Sequence, residues 1–194
     1  MLSIELQGTK RTTACNAETK QSRANGNIPC VLYGGEENVH FSINAIAFEK
    51  VYITPNVYVV ELNIEGKKHK AIIKDMQFHA TTDAPIHVDF LEIAEDKAFT
   101  VKLPVQLIGV AEGVKAGGKL QQKMRKLKVN GLLKDMPATL DVEVSKLTIG
   151  QSVKVSTLSF AGLTILDPQS AVVCSVNLTR SAARAMQEAA NAKK

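Results

Sequence analysis

Long hydrophobic runs are missing from this chain: its uninterrupted apolar stretches stop at four or five residues. A membrane-crossing helix needs about 20 apolar residues in a row, so none fits and no membrane partner is expected. Cysteine is scarce as well. Cys15, Cys30 and Cys174 are odd in number, scattered, and never form a C-x-x-C pair. That pattern speaks against a disulfide framework or a zinc ribbon and suits free thiols in a reducing compartment. Helical signals are few, and no internal repeat or low-complexity linker is visible. The opening MLSIELQGTKR carries Glu5 and no long apolar stretch, which argues against a secretory leader. Arg11, Arg23 and the early Ser and Thr residues leave a transit peptide open; Glu5 and Glu18 oppose it.

What is present is enough for real cores. The 194 residues are 45% hydrophobic, a length that suits two domains of about a hundred residues each. Net charge is +5 with a pI near 9.1, which permits an anionic partner without demanding one. The charge is unevenly spread. Residues 1–93 hold nine Lys/Arg against eleven Asp/Glu, net −2, and residues 94–194 hold fifteen against eight, net +7. Electrostatics alone would therefore put nucleic acid on the second half.

Period-2 alternation dominates and predicts a sheet with one buried and one wet face. It runs through Val39-Phe41-Ile43, Tyr58-Val60-Leu62-Ile64, Val88-Phe90, Val101-Leu103-Val105-Leu107, Leu140-Val142-Val144 and Val172-Cys174-Val176-Leu178. Cys30-Val31-Leu32 predicts a further short buried strand. Asn44 is placed to cap a short helix over Ala45 to Val51, stopped by Thr54-Pro55. A second helix is expected from Asn16 to Arg23. The expected fold is mainly β with a few short helices. A charged stretch at residues 92–99 sets the boundary, giving domains at 1–94 and 95–180 and a basic, Ala-rich tail at 181–194, helical or disordered.

Several motifs invite chemistry. GVKAGGKL, residues 113–120, fits G-x-x-x-x-G-K but puts Leu120 where a phosphate loop needs a magnesium-binding hydroxyl. No βαβ alternation surrounds it, so a glycine-rich turn is preferred. QFHATTDAPIHVDF, residues 77–90, gathers His79, Asp83, His87 and Asp89, a set that could ligate a divalent metal. His87 and Asp89 are expected on one polar strand side, roughly 6–7 Å apart, opposite Val88 and Phe90. A hydrated strand face that meets a ligand surface is preferred, with no metal and no cofactor. Cys30 with His79 or His87 could form a thiol site. However, Cys30 sits inside the apolar IPCVLY, where cysteine behaves as a small hydrophobe.

TKQSRANGNIPCVLYGG, residues 19–35, remains. Lys20 and Arg23, three apart, would share a helix face, and Tyr33 ends a strand beside Gly34-Gly35. A positive pair beside an accessible ring can grip phosphates and touch sugars or base edges. The alternative is a solvated helix, a buried tyrosine and a hairpin.

The stretch RANGNIPCVLYG resembles the signature of the bacterial large-subunit ribosomal protein twenty-five family, whose long form is also called the general stress protein Ctc. IIKDMQFHATTDAPIHVDFLEI (72–93), LPVQLIGVAEGVKAGGKL (103–120) and DMPATLDVEVSKLTIGQSV (135–153) extend the resemblance in order over nearly the whole chain except the tail. The resemblance implies an N-terminal β-barrel that binds 5S ribosomal RNA and a second, mostly β domain found in the long form. It implies a structural protein of the large subunit, at the central protuberance, cytoplasmic and not an enzyme. Its partners would be 5S rRNA and neighbouring rRNA and ribosomal proteins. Carried over position by position, the family's RNA contacts fall on Lys20, Arg23, Tyr33, Gln77, His79, His87 and Asp89; Lys10, Arg11 and Gly34 complete the expected set. Gly34 and Gly35 would let backbone approach the RNA, and Asp89 would accept from an amine or ribose hydroxyl or orient a neighbour.

The departures carry their own expectation. The family usually shows G-K-x-x-A/S-R-x-L-R before the signature, whereas this chain reads CNAETKQSR. Lysine keeps the charge but loses the planar fork suited to bidentate contacts. Each lost phosphate contact flattens the salt dependence of binding by roughly one logarithmic unit. RNA binding weaker or less salt-sensitive than in a typical member is expected, or a protein-interaction or stress factor on a weakened RNA face.

Overall fold

The computed structural model of the chain describes residues 2–11, 15–35, 37–94 and 97–180, and these form two compact units. Of the described residues, the first takes those up to 101 with 132–138, and the second 102–131 with 139–180. The tail expected at 181–194 lies outside the described residues.

The first unit is a closed six-stranded barrel with two helices. Its elements are β1 (Leu2–Lys10), α1 (Asn16–Ala24), β2 (Asn27–Tyr33), β3 (Val39–Asn44), α2 (Ala45–Tyr52), β4 (Tyr58–Ile64), β5 (Lys67–Phe78) and β6 (Pro85–Glu92). Around the barrel the strands run β1-β3-β2-β6-β5-β4. Two pairings are parallel. Leu2 to Gly8 run beside Tyr58 to Ile64, and Cys30 to Tyr33 beside Val88 to Leu91. The strand expected at Cys30-Val31-Leu32 is longer, starting at Asn27 and including Pro29, whose missing N–H the ladder tolerates near a strand start.

Alternation delivers the core. Phe41, Ile43, Val60, Leu62, Val88 and Phe90 point inward and are buried. Phe90 packs on Phe41 and on Phe48 of α2, with ring centroids 5.7 and 6.2 Å apart, so the short helix closes the barrel with an aromatic plug. Burial of each such phenyl ring stabilises the fold by about 1.5–3 kcal/mol. Helix α2 begins as expected: Asn44 Oδ1 accepts from the Ile46 amide at 2.9 Å, satisfying an N-terminal donor that the helix leaves unpaired.

The second unit is also mostly β. It uses β7 (Phe99–Ile108) from residue 102 onward, one turn of α3 (Glu112–Lys115), β8 (Lys119–Gln122), β9 (Lys126–Gly131), β10 (Leu140–Glu143), β11 (Ser152–Lys154), β12 (Leu163–Ile165) and β13 (Val172–Asn177). One sheet is ordered β10-β7-β9-β12 and another β11-β13-β8. Leu127 and Val129 alternate with exposed Lys126 and Lys128, and Leu140, Val142 and Val144 are buried in step. The expected alternation fails in β13. Val173 and Ser175 are buried along with Cys174 and Val176, while Leu178 is exposed. As the middle strand of its sheet, β13 is buried along its centre and shows a wet residue only at its Asn177 end, so it has no wet side to alternate with there.

Candidate nucleic-acid interface

Helix α1 stands beside the strand that follows it in the chain. Thr19 Oγ1 donates to the Cys15 carbonyl at 2.9 Å and accepts from Arg11 Nη2 at 2.8 Å, tying the start of the helix to the end of β1. The helix stops at Gly26, whose φ of +75° turns the chain into β2. Lys20 and Arg23 are both exposed. Arg23 Nε donates to the Ile86 carbonyl at 3.2 Å, which fastens the side chain to β6 and leaves the terminal amino groups of its fork to reach elsewhere.

Strand β6 lies between β2 and β5, and its outward residues make the centre of a polar face. Val88 and Phe90 are fully buried, so His87 and Asp89 face out, half-buried. The cross-strand register puts Gln77 opposite His87. It puts Asp75 and Val31 on either side of Asp89, with His40 beyond Val31. Tyr33 pairs with Leu91 one step further along. His87 Nδ1 and Asp89 Oδ1 are 2.9 Å apart, closer than the expected 6–7 Å because the two side chains lean together along the strand. Sequence reading missed Asp75. Its position opposite Asp89 depends on a register shift between Ile73 and Asp75 that no periodicity announces.

Electrostatics on this face are mixed. Burial, then the carboxylates of Asp89 and Asp75, push the Tyr33 phenol above its ordinary value, so its hydroxyl stays protonated and able to donate. His79 stands in the turn after β5, where its amide donates to the Ala84 carbonyl and its Nδ1 meets Thr81 Oγ1 at 3.0 Å. Asp83 holds that turn with a φ of +52°.

Lys10 and Gly34 sit elsewhere. With Gly35, Val39, Ile64, Lys67, His69 and Glu92 they line a cavity of about 730 Å³ in the first unit. The glycine pair after Tyr33 has a packing reason. Gly34 has a φ of +97°, and a Cβ there would come 2.8 Å from Leu91 Cδ1; a Cβ on Gly35 would collide with the Glu92 carboxylate. That carboxylate is held by His69 Nδ1 at 2.8 Å, a pair the sequence did not reveal. The tyrosine ends against two glycines because β6 fills the space that side chains would need.

The remaining motifs do other things. The amides of GVKAGGKL are spent internally: Gly113 donates to Leu147, Gly117 to Val114 and Gly118 to Gly113. A loop whose amides are paired has none to cradle a phosphate with. Cys30 is buried, with Sγ 3.4 Å from the Ile28 carbonyl. Burial, aided by Asp89 and opposed by Arg11, pushes its thiol far up and away from nucleophilic use. Among the described residues no group of three or more His, Cys, Asp or Glu is placed to hold a metal ion.

Known proteins resemble the chain over both units. Residues 6–90 match the model of the Ribosomal L25p family, and residues 98–180 that of the Ribosomal protein TL5, C-terminal domain. The large ribosomal subunit protein bL25 of Bacteroides fragilis is 51% identical over 187 residues, covering 94% of this chain and 95% of that one. Its counterpart in Bacteroides thetaiotaomicron is 50% identical with the same coverage. That of Porphyromonas gingivalis is 45% identical over 184 residues, covering 94% and 96%.

Proposed function

The chain belongs to the Ribosomal L25p family, and from that premise we propose that the face formed by β2, β6 and β5 is its grip on 5S rRNA. The family makes it a structural, non-enzymatic protein of the large ribosomal subunit, and hence of the cytoplasm. The finer reading concerns which RNA and which residues. RNA presents a wide, shallow minor groove with 2′-hydroxyls and base edges, and a flat strand face fits it better than a protruding helix does. Arg23 and Lys20 meet phosphates from the helix beside that face. Tyr33, Gln77, His79 and His87 serve riboses and base edges, and Asp89 fixes the His87 ring.

One observation carries this reading: a histidine hydrogen-bonded to Asp89 stands on the wet side of a strand whose other side is sealed core, flanked by Gln77 and by an anchored arginine. We place the RNA-binding domain at 1–94, the second β domain at 95–180 and the basic tail at 181–194, with the complex at the central protuberance. Titration of a labelled 5S transcript at several salt concentrations tests the proposal, with transfer RNA as competitor. Submicromolar, competitor-resistant binding that Arg23→Ala with Tyr33→Ala abolishes is expected. Equal affinity for both RNAs would defeat it.

A second reading rests on Asp75 facing Asp89 and on the net −2 charge of residues 1–93. On a weakened RNA face, the chain would serve as a protein-interaction or stress factor. Co-sedimentation with large subunits at moderate salt separates the two.

A further inference from the structure

Residues 113–131 hold six Lys or Arg and no Asp or Glu. Within the second unit's described residues the acidic side chains are Glu112, Asp141, Glu143 and Asp167, on α3, on β10 and just past β12. None lies on the sheet β11-β13-β8. That sheet has Ser152, Ser175 and Gln121 in register across its three strands, with Lys119 beside Asn177 at one end.

The polar side chains there are already ordered. Ser175, the one buried polar side chain among the described residues, has its Oγ 3.3 Å from Asn177 Oδ1. Asn177 Nδ2 in turn donates to Gln121 Oε1 at 2.8 Å. This fixes the orientation of the Asn177 amide and leaves the Gln121 amino group, the Ser152 hydroxyl and the Lys119 ammonium to face a partner. Lys119, Gln121, Ser152 and Asn177 are all exposed, and Lys123 and Arg125 continue the basic run past the end of β8. Asp167 accepts from the backbone amide of Lys128, away from β8, and no salt bridge is seen to Lys119 or Lys123 among the described residues.

We infer that the polar side of the sheet β11-β13-β8, exposed on β8, on β11 and at the Asn177 end of β13, is a second RNA-contacting surface, which takes phosphates on Lys119 and Lys123 and riboses on Gln121, Asn177 and Ser152. A protein partner would want an aromatic or aliphatic anchor at the centre, and these four exposed residues supply none. Amides, a hydroxyl and ammonium groups free of carboxylates match a polyanion that carries sugar hydroxyls. The inference rests on the chain's place on the large subunit but not on the 5S contact through the first unit.

The test uses the full-length chain and its variant K119E/K123E, measured on isolated 5S transcript and on large subunits lacking this protein. The variant should bind the transcript as the wild type does. On subunits it should lose roughly tenfold or more in affinity, and its salt slope should fall by about 1.4–1.8 logarithmic units, one phosphate contact per lysine. The milder K119Q/K123Q, which adds no repulsion and keeps the strand's polar face, should lose the same slope. Crosslinks from residue 119 should land on rRNA. Unchanged slopes in both variants, or crosslinks to protein alone, would overturn the inference. Failure of the wild type on the transcript would instead defeat the 5S reading.

Discussion

Asp89 accepts the Nδ1 proton of His87 at 2.9 Å while facing Asp75 across the β5–β6 ladder. Two carboxylates directly opposite one another disfavour a sheet, and the imidazole offsets that cost on one of them. The pair also fixes the ring: with Nδ1 turned to Asp89, Nε2 is left to meet a ribose hydroxyl in the proposed complex.

Asp89→Asn removes a negative charge from a surface assigned to a polyanion, so simple electrostatics expects tighter binding. If Asp89 orients His87, the variant binds 5S rRNA about tenfold more weakly, since hydrogen bonds to charged groups contribute about 1.5–3 kcal/mol. Titration of the transcript decides between the two; tighter binding would show that Asp89 only repels.

Arg23 is anchored to the Ile86 carbonyl, and in the proposed complex the rest of its fork meets phosphate. Arg23→Ala should lower the salt slope of RNA binding by about 0.7–0.9 logarithmic units. Arg23→Lys should keep most of the slope and lose affinity, because an ammonium cannot hold the carbonyl and a phosphate in the same plane.

Gly34→Ala forces a side chain into a φ of +97° and against Leu91. The cost is about 1–3 kcal/mol, and each kcal/mol lowers Tm by roughly 4–8 °C for a domain of this size. Gly26→Ala has the same handedness problem with nothing within 4 Å of its Cβ, so it should cost less. Thermal melts of the two variants give the comparison, and a Gly34→Ala Tm at or above that of Gly26→Ala would contradict it.

Thiol labelling reads out burial. Cys15 is exposed, whereas Cys30 and Cys174 are buried with thiols pushed up chiefly by desolvation. At pH 8 a disulfide reagent should titrate one thiol promptly and the other two only after denaturant is added. Fast release of a second equivalent would show the barrel or the second core to be open.

Tyr33 should ionise later than a free tyrosine in an ultraviolet titration, and Asp89→Asn should bring its midpoint back toward the ordinary value. The sign for stability follows. The folded phenol holds its proton more tightly, so nothing is lost below the unfolded value near 10, and stability falls as pH rises past it. A Tyr33 midpoint at or below that of the free amino acid would refute the placement beside Asp89.

Much of the barrel was legible because its strands obey period 2 where one side is core: Phe41, Leu62 and Val88 announce their faces. The Asn44 cap and the helix starting at Asn16 were legible for local reasons. Other elements were hidden. Strand β5 reads KKHKAIIKDMQF, in which a register shift near Lys74 and an exposed end erase the alternation. The Asp75–Asp89 and His69–Glu92 relations depend on register, which no single strand's pattern encodes. The parallel pairings of β1 with β4 and of β2 with β6 join residues more than fifty positions apart, beyond any local signal.

Those parallel pairings set an order of events during synthesis. Strand β2 cannot gain its β6 neighbour until residues 85–92 have left the exit tunnel, and Tyr33 meets neither Leu91 nor Asp89 before then. A nascent chain interrupted at residue 84 would carry the RANGNIPCVLYG signature yet lack His87, Asp89 and the strand that holds them beside Val31 and Tyr33. Premature termination before residue 85 therefore yields fragments without the β2–β6 face proposed here to meet RNA.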